Sequence, residues 1–299
     1  MKHIDIINAC TDLGVCVDGA KLGPEIITKN LKNKNINIIY TIKAQNVEKE
    51  KAKDNKKKNL EPLNKFNEEL YNRVLTSLEE EKFPFTIGGD HSMAIASALA
   101  SIKKYDNLGI IWIDAHGDYN TFDTTITGNI HGIPLAAIDG YERNYLTNFH
   151  TGNFYNYKNT VIVGGRDIDQ LENVNLEDAG VTVFSTEDIH KYGMKNIMRQ
   201  AIKLAAANTN GIHISYDLDI IDPKIAPGVS VPAKDGINLD EAMEAVSEII
   251  KNKKLVKSMD LVEYNPLFDK EDKTKIIARR IIEEIVNNIW MIKIRCFIS

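Results

Sequence analysis

A chain of 299 residues with 43% hydrophobic content can bury a large core, as one big α/β domain or two smaller ones. Its 37 Lys+Arg against 42 Asp+Glu leave a net charge of -5, so there is no basic excess to make nucleic acid a partner. No apolar run approaches the roughly 20 residues that a membrane span needs. The N-terminus meets Asp5 too early for a signal peptide, and Cys10, Cys16 and Cys296 form no CxxC pair and no even framework. A reducing cytoplasm with free thiols is the expected location.

Strand-like apolar runs alternate with segments of helical period. Residues 3–8 and 36–42 read as strands, and 64–81 as a helix with Phe66, Leu70, Val74 and Leu78 on one face. A short strand at 83–87 ends at Gly88-Gly89, and a helix follows over 92–105. Further strands are expected at 108–113, 160–163, 181–184, 212–216 and 255–262. Ser185 to Asp188 resembles a capping box, and Asn238 to Glu241 another. This alternation predicts one mostly parallel sheet of about eight strands, covered by helices on both faces, in a single domain over 1–299. Residues 46–60, rich in Lys, Glu, Asp and Asn, read as a solvated surface excursion in preference to a docking patch. The apolar end, 288–299, reads as a final packed strand or a subunit contact.

Chemistry gathers where those strands end. His91 follows the strand at 83–87; Asp114, His116 and Asp118 follow 108–113; Asp217 and Asp219 follow 212–216; Glu263 follows 255–262. In a parallel sheet these ends share one edge, where ligands bind. Alternate spacing lets Asp114, His116 and Asp118 converge, and likewise Asp217 and Asp219. Any one of these acids alone could be a cap or a turn residue. Together, four carboxylates repel one another unless a cation sits among them. Two His and four Asp exceed a single zinc site and suit two divalent ions sharing carboxylates, with Mn²⁺ favoured by the oxygen-rich set. Such a pair would acidify a bridging water, which makes hydrolysis the expected reaction class.

The motifs Gly88-Gly89-Asp90-His91-Ser92, Asp114-Ala115-His116-Gly117-Asp118, Ser215-Tyr216-Asp217-Leu218-Asp219 and Val262-Glu263-Tyr264-Asn265-Pro266 resemble the ureohydrolases, the arginase and agmatinase superfamily. The resemblance runs in order along nearly the whole chain and implies the three-layer arginase-like α/β fold. It implies that His91, Asp114, Asp118 and Asp217 hold one Mn²⁺, and that His116, Asp114, Asp217 and Asp219 hold the other. Asn120 through His131 looks like the arginase pattern, with Asn120 and Thr127 on the substrate α-carboxylate. Asp169 and Glu172 would receive the α-ammonium group, Glu263 the guanidinium, and His131 and Asp219 would carry the proton to the leaving amine. The implied reaction is attack of metal-bridging hydroxide on L-arginine, releasing L-ornithine and urea, in a homotrimer or hexamer. The alternatives are agmatine, a guanidino acid or formiminoglutamate as substrate, a one-metal zinc deacetylase of related fold, or a catalytically silent family member acting as an oligomeric interaction protein.

Thr127 stands where many members have Ser, Gly165 replaces a more usual Leu, and Tyr264 a smaller residue. His213, inside an apolar strand, is expected in the core, and His3, His150 and His190 lie in no motif. Asp90 is expected to orient His91, and Arg166 and Asp167 to form a structural ion pair. Cys16 has nothing electropositive near it in sequence to make it reactive.

Overall fold

The computed structural model describes residues 3–49 and 55–289. Eight strands appear in chain order: β1 (Ile4–Cys10), β2 (Ile36–Lys43), β3 (Phe83–Gly88), β4 (Gly109–Ile113), β5 (Thr160–Gly165), β6 (Thr182–Ser185), β7 (Ile212–Asp217) and β8 (Val256–Val262). The helices are α1 (Gly23–Thr28), α2 (Leu60–Glu79), α3 (Ala94–Tyr105), α4 (Pro134–Ile138), α5 (Arg143–Leu146), α6 (Gln170–Ala179), α7 (Thr186–Tyr192), α8 (Met194–Ala205), α9 (Leu239–Lys251) and α10 (Lys273–Asn288). The strands form one sheet in the order β2-β1-β3-β8-β7-β4-β5-β6, and every pairing is parallel. The expected mostly parallel sheet is thus wholly parallel.

Strand alternation assigns each helix its face. Ile4, Ile6, Ile111 and Ile113 pack with Met198, Ala201, Ala245, Ile249 and Ile281 of α8, α9 and α10. Ile7, Ala9, Ile110 and Trp112 pack with Leu63, Phe66, Leu70 and Val74 of α2 and with α3. Helices cover both faces of the inner strands, which are therefore apolar on both sides, while the edge strand β2 is largely exposed. Both expected capping boxes, Ser185/Asp188 on α7 and Asn238/Glu241 on α9, are formed. One patch in the middle of the second face is polar. His213 is fully buried and binds Ser258 Oγ at 2.7 Å and Asp260 Oδ2 at 3.0 Å, and Ser97 Oγ donates to that carboxylate at 2.6 Å. His213 is a core residue, as expected.

The lysine-rich stretch departs in part from expectation where it is described. Lys49, with a side chain 6% exposed, pairs with Asp12 and Asp18 and donates to the Val17 carbonyl. Lys56 and Lys58 donate to the carbonyls of Thr125 and Thr127, and Asn59 to that of Leu13. Residues 46–48 are exposed, as expected, but Lys49, Lys56 and Lys58 strap neighbouring loops by bringing their ammonium groups to loop carbonyls. The apolar end beyond Ile289 lies outside the described residues. No helix among them is long and apolar enough to cross a membrane.

The exit of β3 shows how tightly the sheet edge is built. Gly89 receives the Glu263 N–H at 2.8 Å and donates to Ala9 at 2.9 Å. A Cβ added there would meet the Thr11 carbonyl oxygen at 1.7 Å, which leaves no room for a side chain. Gly89→Ala should therefore destabilise the fold by about 3 kcal/mol. A thermal melt that superimposes on the wild type would contradict this.

Candidate active site

The strand order brings the exits of β3, β8, β7, β4 and β5 side by side. They deliver His91, Glu263, Asp217 with Asp219, Asp114 with His116 and Asp118, and Asp167 with Asp169 to one edge of the sheet. His91 Nδ1 lies 2.9 Å from Asp114 Oδ2, 3.1 Å from Asp217 Oδ2 and 3.2 Å from Asp118 Oδ2. His116 Nδ1 lies 2.9 Å from Asp219 Oδ2 and 3.4 Å from Asp114 Oδ1. All six residues named from the sequence as metal ligands therefore meet in one cluster. Within it two metal-sized groups stand out, His91–Asp114–Asp118 and Asp114–His116–Asp219, sharing Asp114. Asp217 belongs to neither triplet but touches both, through His91 and through the Asp219 N–H that its Oδ1 accepts at 2.7 Å.

Local structure fixes these groups. His91 stacks on Trp112 at 3.9 Å between ring centroids, and its Nε2 meets Ser215 Oγ at 2.8 Å. That bond commits Nε2 and leaves Nδ1 to the cluster. Asp114 Oδ1 accepts the His116 N–H at 2.6 Å, and Asp219 Oδ1 accepts the Ala115 N–H at 3.2 Å. Asp118 and Glu263 hold left-handed backbone at φ 51° and 68°, strained for residues with a Cβ. Asp90 acts on His91 through the backbone. It caps the turn that carries His91, accepting from Ser92, and ties down the Gly14 N–H at 3.1 Å.

The electrostatics are those of crowded acid. Burial first, and then Asp219 and Asp114, push the Asp217 carboxyl well above the usual carboxylate range. Burial and Asp114 take Asp118 up to about 6. Burial opposes charge on His91, but Asp114, Asp118 and Asp217 outweigh it and hold its proton well above the ordinary imidazole range. His91 Nδ1 and Asp114 Oδ2 are buried and 2.9 Å apart, yet neither has an aligned hydrogen bond. Orphaned imidazole and carboxylate atoms converging in this way fit a hard or borderline divalent cation.

Above the cluster opens a pocket whose floor includes His91, His116, Asp118, Asp217, Asp219 and His131. The rest of the lining has a neutral set (Asn120, Thr125, Thr127, Asn129) and an acidic set (Asp167, Asp169, Glu172). The four expected substrate contacts other than Glu263 thus all face this pocket. Glu263 lies beside it, 3% exposed, with Oε1 accepting the His91 N–H at 2.8 Å and standing 3.3 Å from His131 Nδ1. Glu172 already holds the Tyr119 N–H at 2.8 Å and the Asp169 N–H at 3.1 Å, closing a capping box at the start of α6.

Thr125, Asn129 and Ser215 have no role expected from the sequence. Ser215 could have been found from strand alternation, since it lies two residues before Asp217. Nothing local signals the others. The expected Arg166–Asp167 ion pair is not formed. Arg166 donates instead to the carbonyls of Asp219, Ala233 and Lys234, leaving Asp167 at the pocket mouth 3.8 Å from His116 Nε2. Cys16 does have a cationic neighbour, Lys58 at 3.6 Å, contributed from a distant part of the chain.

Comparison with known proteins follows the same lines. The sequence model of the Arginase family matches residues 2–287. The arginase of Bacillus subtilis (strain 168) is 36% identical over 292 residues, covering 95% of this chain and 98% of that one. The solved arginase of Bacillus caldovelox superposes with a TM-score of 0.89 at 31% identity, covering 96% and 98% of the two chains. The Entamoeba histolytica arginase, solved in complex with L-ornithine, gives 0.88 at 29% identity over 95% and 99%.

Glu172 yields a pH test. Burial, with help from Asp118, lifts its carboxyl from the ordinary 4.5 to about 8 against the bonds from Tyr119 and Asp169. Between these values the native, chelator-treated protein keeps a proton that the unfolded chain has released. The stabilisation is full below 4.5 and is lost as pH rises through about 8. Glu172→Gln should flatten that fall by roughly a few kcal/mol. Equal pH slopes of unfolding free energy in the two proteins would refute the shift.

Proposed function

This chain belongs to the arginase family and is an arginase-type hydrolase, and from that premise we propose that it hydrolyses L-arginine to L-ornithine and urea with two Mn²⁺ bound. The observation that carries the reading is the pair of metal-sized groups sharing Asp114 beside a pocket lined by a neutral and an acidic set of side chains. His91, Asp114, Asp118 and Asp217 would hold one ion, and His116, Asp114, Asp217 and Asp219 the other. When bound, two divalent ions would neutralise the carboxylates and make hydroxide available at neutral pH.

The two sets suit the two charges of an α-amino acid. Asn120 and Thr127 offer an amide and a hydroxyl to the α-carboxylate, while Asp169 and Glu172 offer carboxyl oxygens to the α-ammonium. The amide nitrogen of Asn120 has no acceptor among the described residues, whereas its Oδ1 accepts from Thr124 at 3.0 Å. That leaves a donor for the ligand. The cleavage itself needs hydroxide added to the guanidinium carbon and a proton delivered to the departing ornithine nitrogen. His131 is suited to the second task. Burial disfavours its charge, but Glu263 at 3.3 Å more than compensates and holds its proton above the ordinary range, as a general acid requires. Asp219 is the second proton carrier in this reading. Glu263 Oε2, buried and unbonded, remains to accept a guanidinium N–H. The same reading puts the enzyme in the cytoplasm as a homotrimer or hexamer, as family resemblance suggests.

Urea release by Mn²⁺-loaded protein offered arginine, agmatine and guanidinobutyrate side by side tests the substrate. Arginine should dominate, and preferential turnover of agmatine would sink the proposal. Asp217→Ala should abolish activity and lower metal content measured by elemental analysis. Full occupancy in that variant would contradict its role as a shared ligand.

A further inference from the structure

We infer that Lys58 is the specificity-determining cation of this pocket: its ammonium provides the countercharge for a carboxylate on the ligand, so that a carboxylate-bearing guanidino compound is selected over its decarboxylated amine. The inference deepens the function proposed above by naming the residue that enforces the substrate class. It starts from a charge imbalance. Beside the metal-ligating carboxylates the pocket lining carries Asp167, Asp169 and Glu172, and no Lys or Arg. The remaining polar lining, Asn120, Thr125, Thr127 and Asn129, is neutral. Amide and hydroxyl donors can satisfy the lone pairs of a carboxylate, but they bring no charge to offset such acidic surroundings.

Lys58 stands directly behind that neutral lining. It is 4% exposed, its Nζ donates to the Thr127 carbonyl, and Cys16 Sγ lies 3.6 Å away. Cys16 in turn donates to Asn129 Oδ1 at 2.8 Å, a residue of the pocket lining. Among the described residues Lys58 has no carboxylate within ion-pair distance. Lys49, from the same stretch and similarly buried, has two, Asp12 and Asp18. A buried ammonium without an anion is unfavourable unless one arrives. Both partners of Lys58 belong to, or touch, the lining assigned to the carboxylate. A ligand carboxylate on Thr127 and Asn120 would complete the pair across a single residue layer. Lys56 also meets this loop, at the Thr125 and Ile126 carbonyls, but from its part-exposed outer side, where solvent screens it.

The test compares Mn²⁺-loaded wild type, Lys58→Gln and Lys58→Arg. Gln keeps a donor for the Thr127 carbonyl without the charge, and Arg keeps both. Calorimetry would measure binding of L-ornithine and of putrescine, its decarboxylated counterpart, beside kcat and KM for arginine. Lys58→Gln should weaken ornithine roughly tenfold, leave putrescine as in wild type, and raise the KM for arginine with little change in kcat. Lys58→Arg should restore the preference. A Gln variant that binds ornithine like wild type, or that loses ornithine and putrescine equally, would overturn the inference, as would a wild type indifferent between the two diamines. If the ornithine preference holds and depends on Lys58 while arginine yields no urea, the catalytic reading fails and this one stands.

Discussion

Negative charge buried at one edge of a parallel sheet is the constraint around which this molecule is arranged. Asp114, Asp217 and Asp219 are almost wholly inaccessible, and Asp118 is 5% exposed. Imidazoles and backbone N–H groups surround them, and they stand close to one another. Such a cluster repels itself, and the pressure shows in the raised carboxyls of Asp217 and Asp118. The fold answers with rigid supports: Trp112 beneath His91, Ser215 on its far nitrogen, and N–H bonds to Asp114, Asp217 and Asp219. Groups held this firmly cannot relax away from one another, so a cation is what they are shaped to accept.

A second layer of support comes from segments that look unrelated to the site. The loop after β1 receives the His131 N–H at the Gly14 carbonyl and is itself clamped by Lys49 and Asn59. The neutral pocket lining is tied from behind by Lys56 and Lys58. The stretch that reads as solvated surface is thereby part of the frame that holds a proton-carrying histidine and the carboxylate-facing loop. Lysine suits this task, because a long stem can cross apolar surface and bring three donors to loop carbonyls.

Much of this was legible beforehand, for identifiable reasons. Buried parallel strands must be apolar on both faces, so the eight runs were visible, as was the helix face of Phe66, Leu70, Val74 and Leu78. The cluster was visible because charge directly after an apolar run has few explanations, and six residues did so at three strand exits. Misreadings arose where a partner comes from far along the chain. Arg166 adjoins Asp167 but turns to carbonyls contributed by residues up to 68 positions away. Cys16 looked isolated until Lys58 approached it.

By itself, then, the sequence determined which residues could carry the chemistry and which elements would bear them, because periodicity and strand-end charge are local properties. Only the tertiary structure decided that β8 and β7 lie between β3 and β4, although β3 and β4 are nearly adjacent in sequence. That insertion sets His91, Glu263, Asp217 and Asp114 side by side, and hydrophobic pattern cannot encode it. Every buried parallel strand presents the same two apolar faces, so strand order is settled by how helices and crossovers pack, not by any strand's own composition.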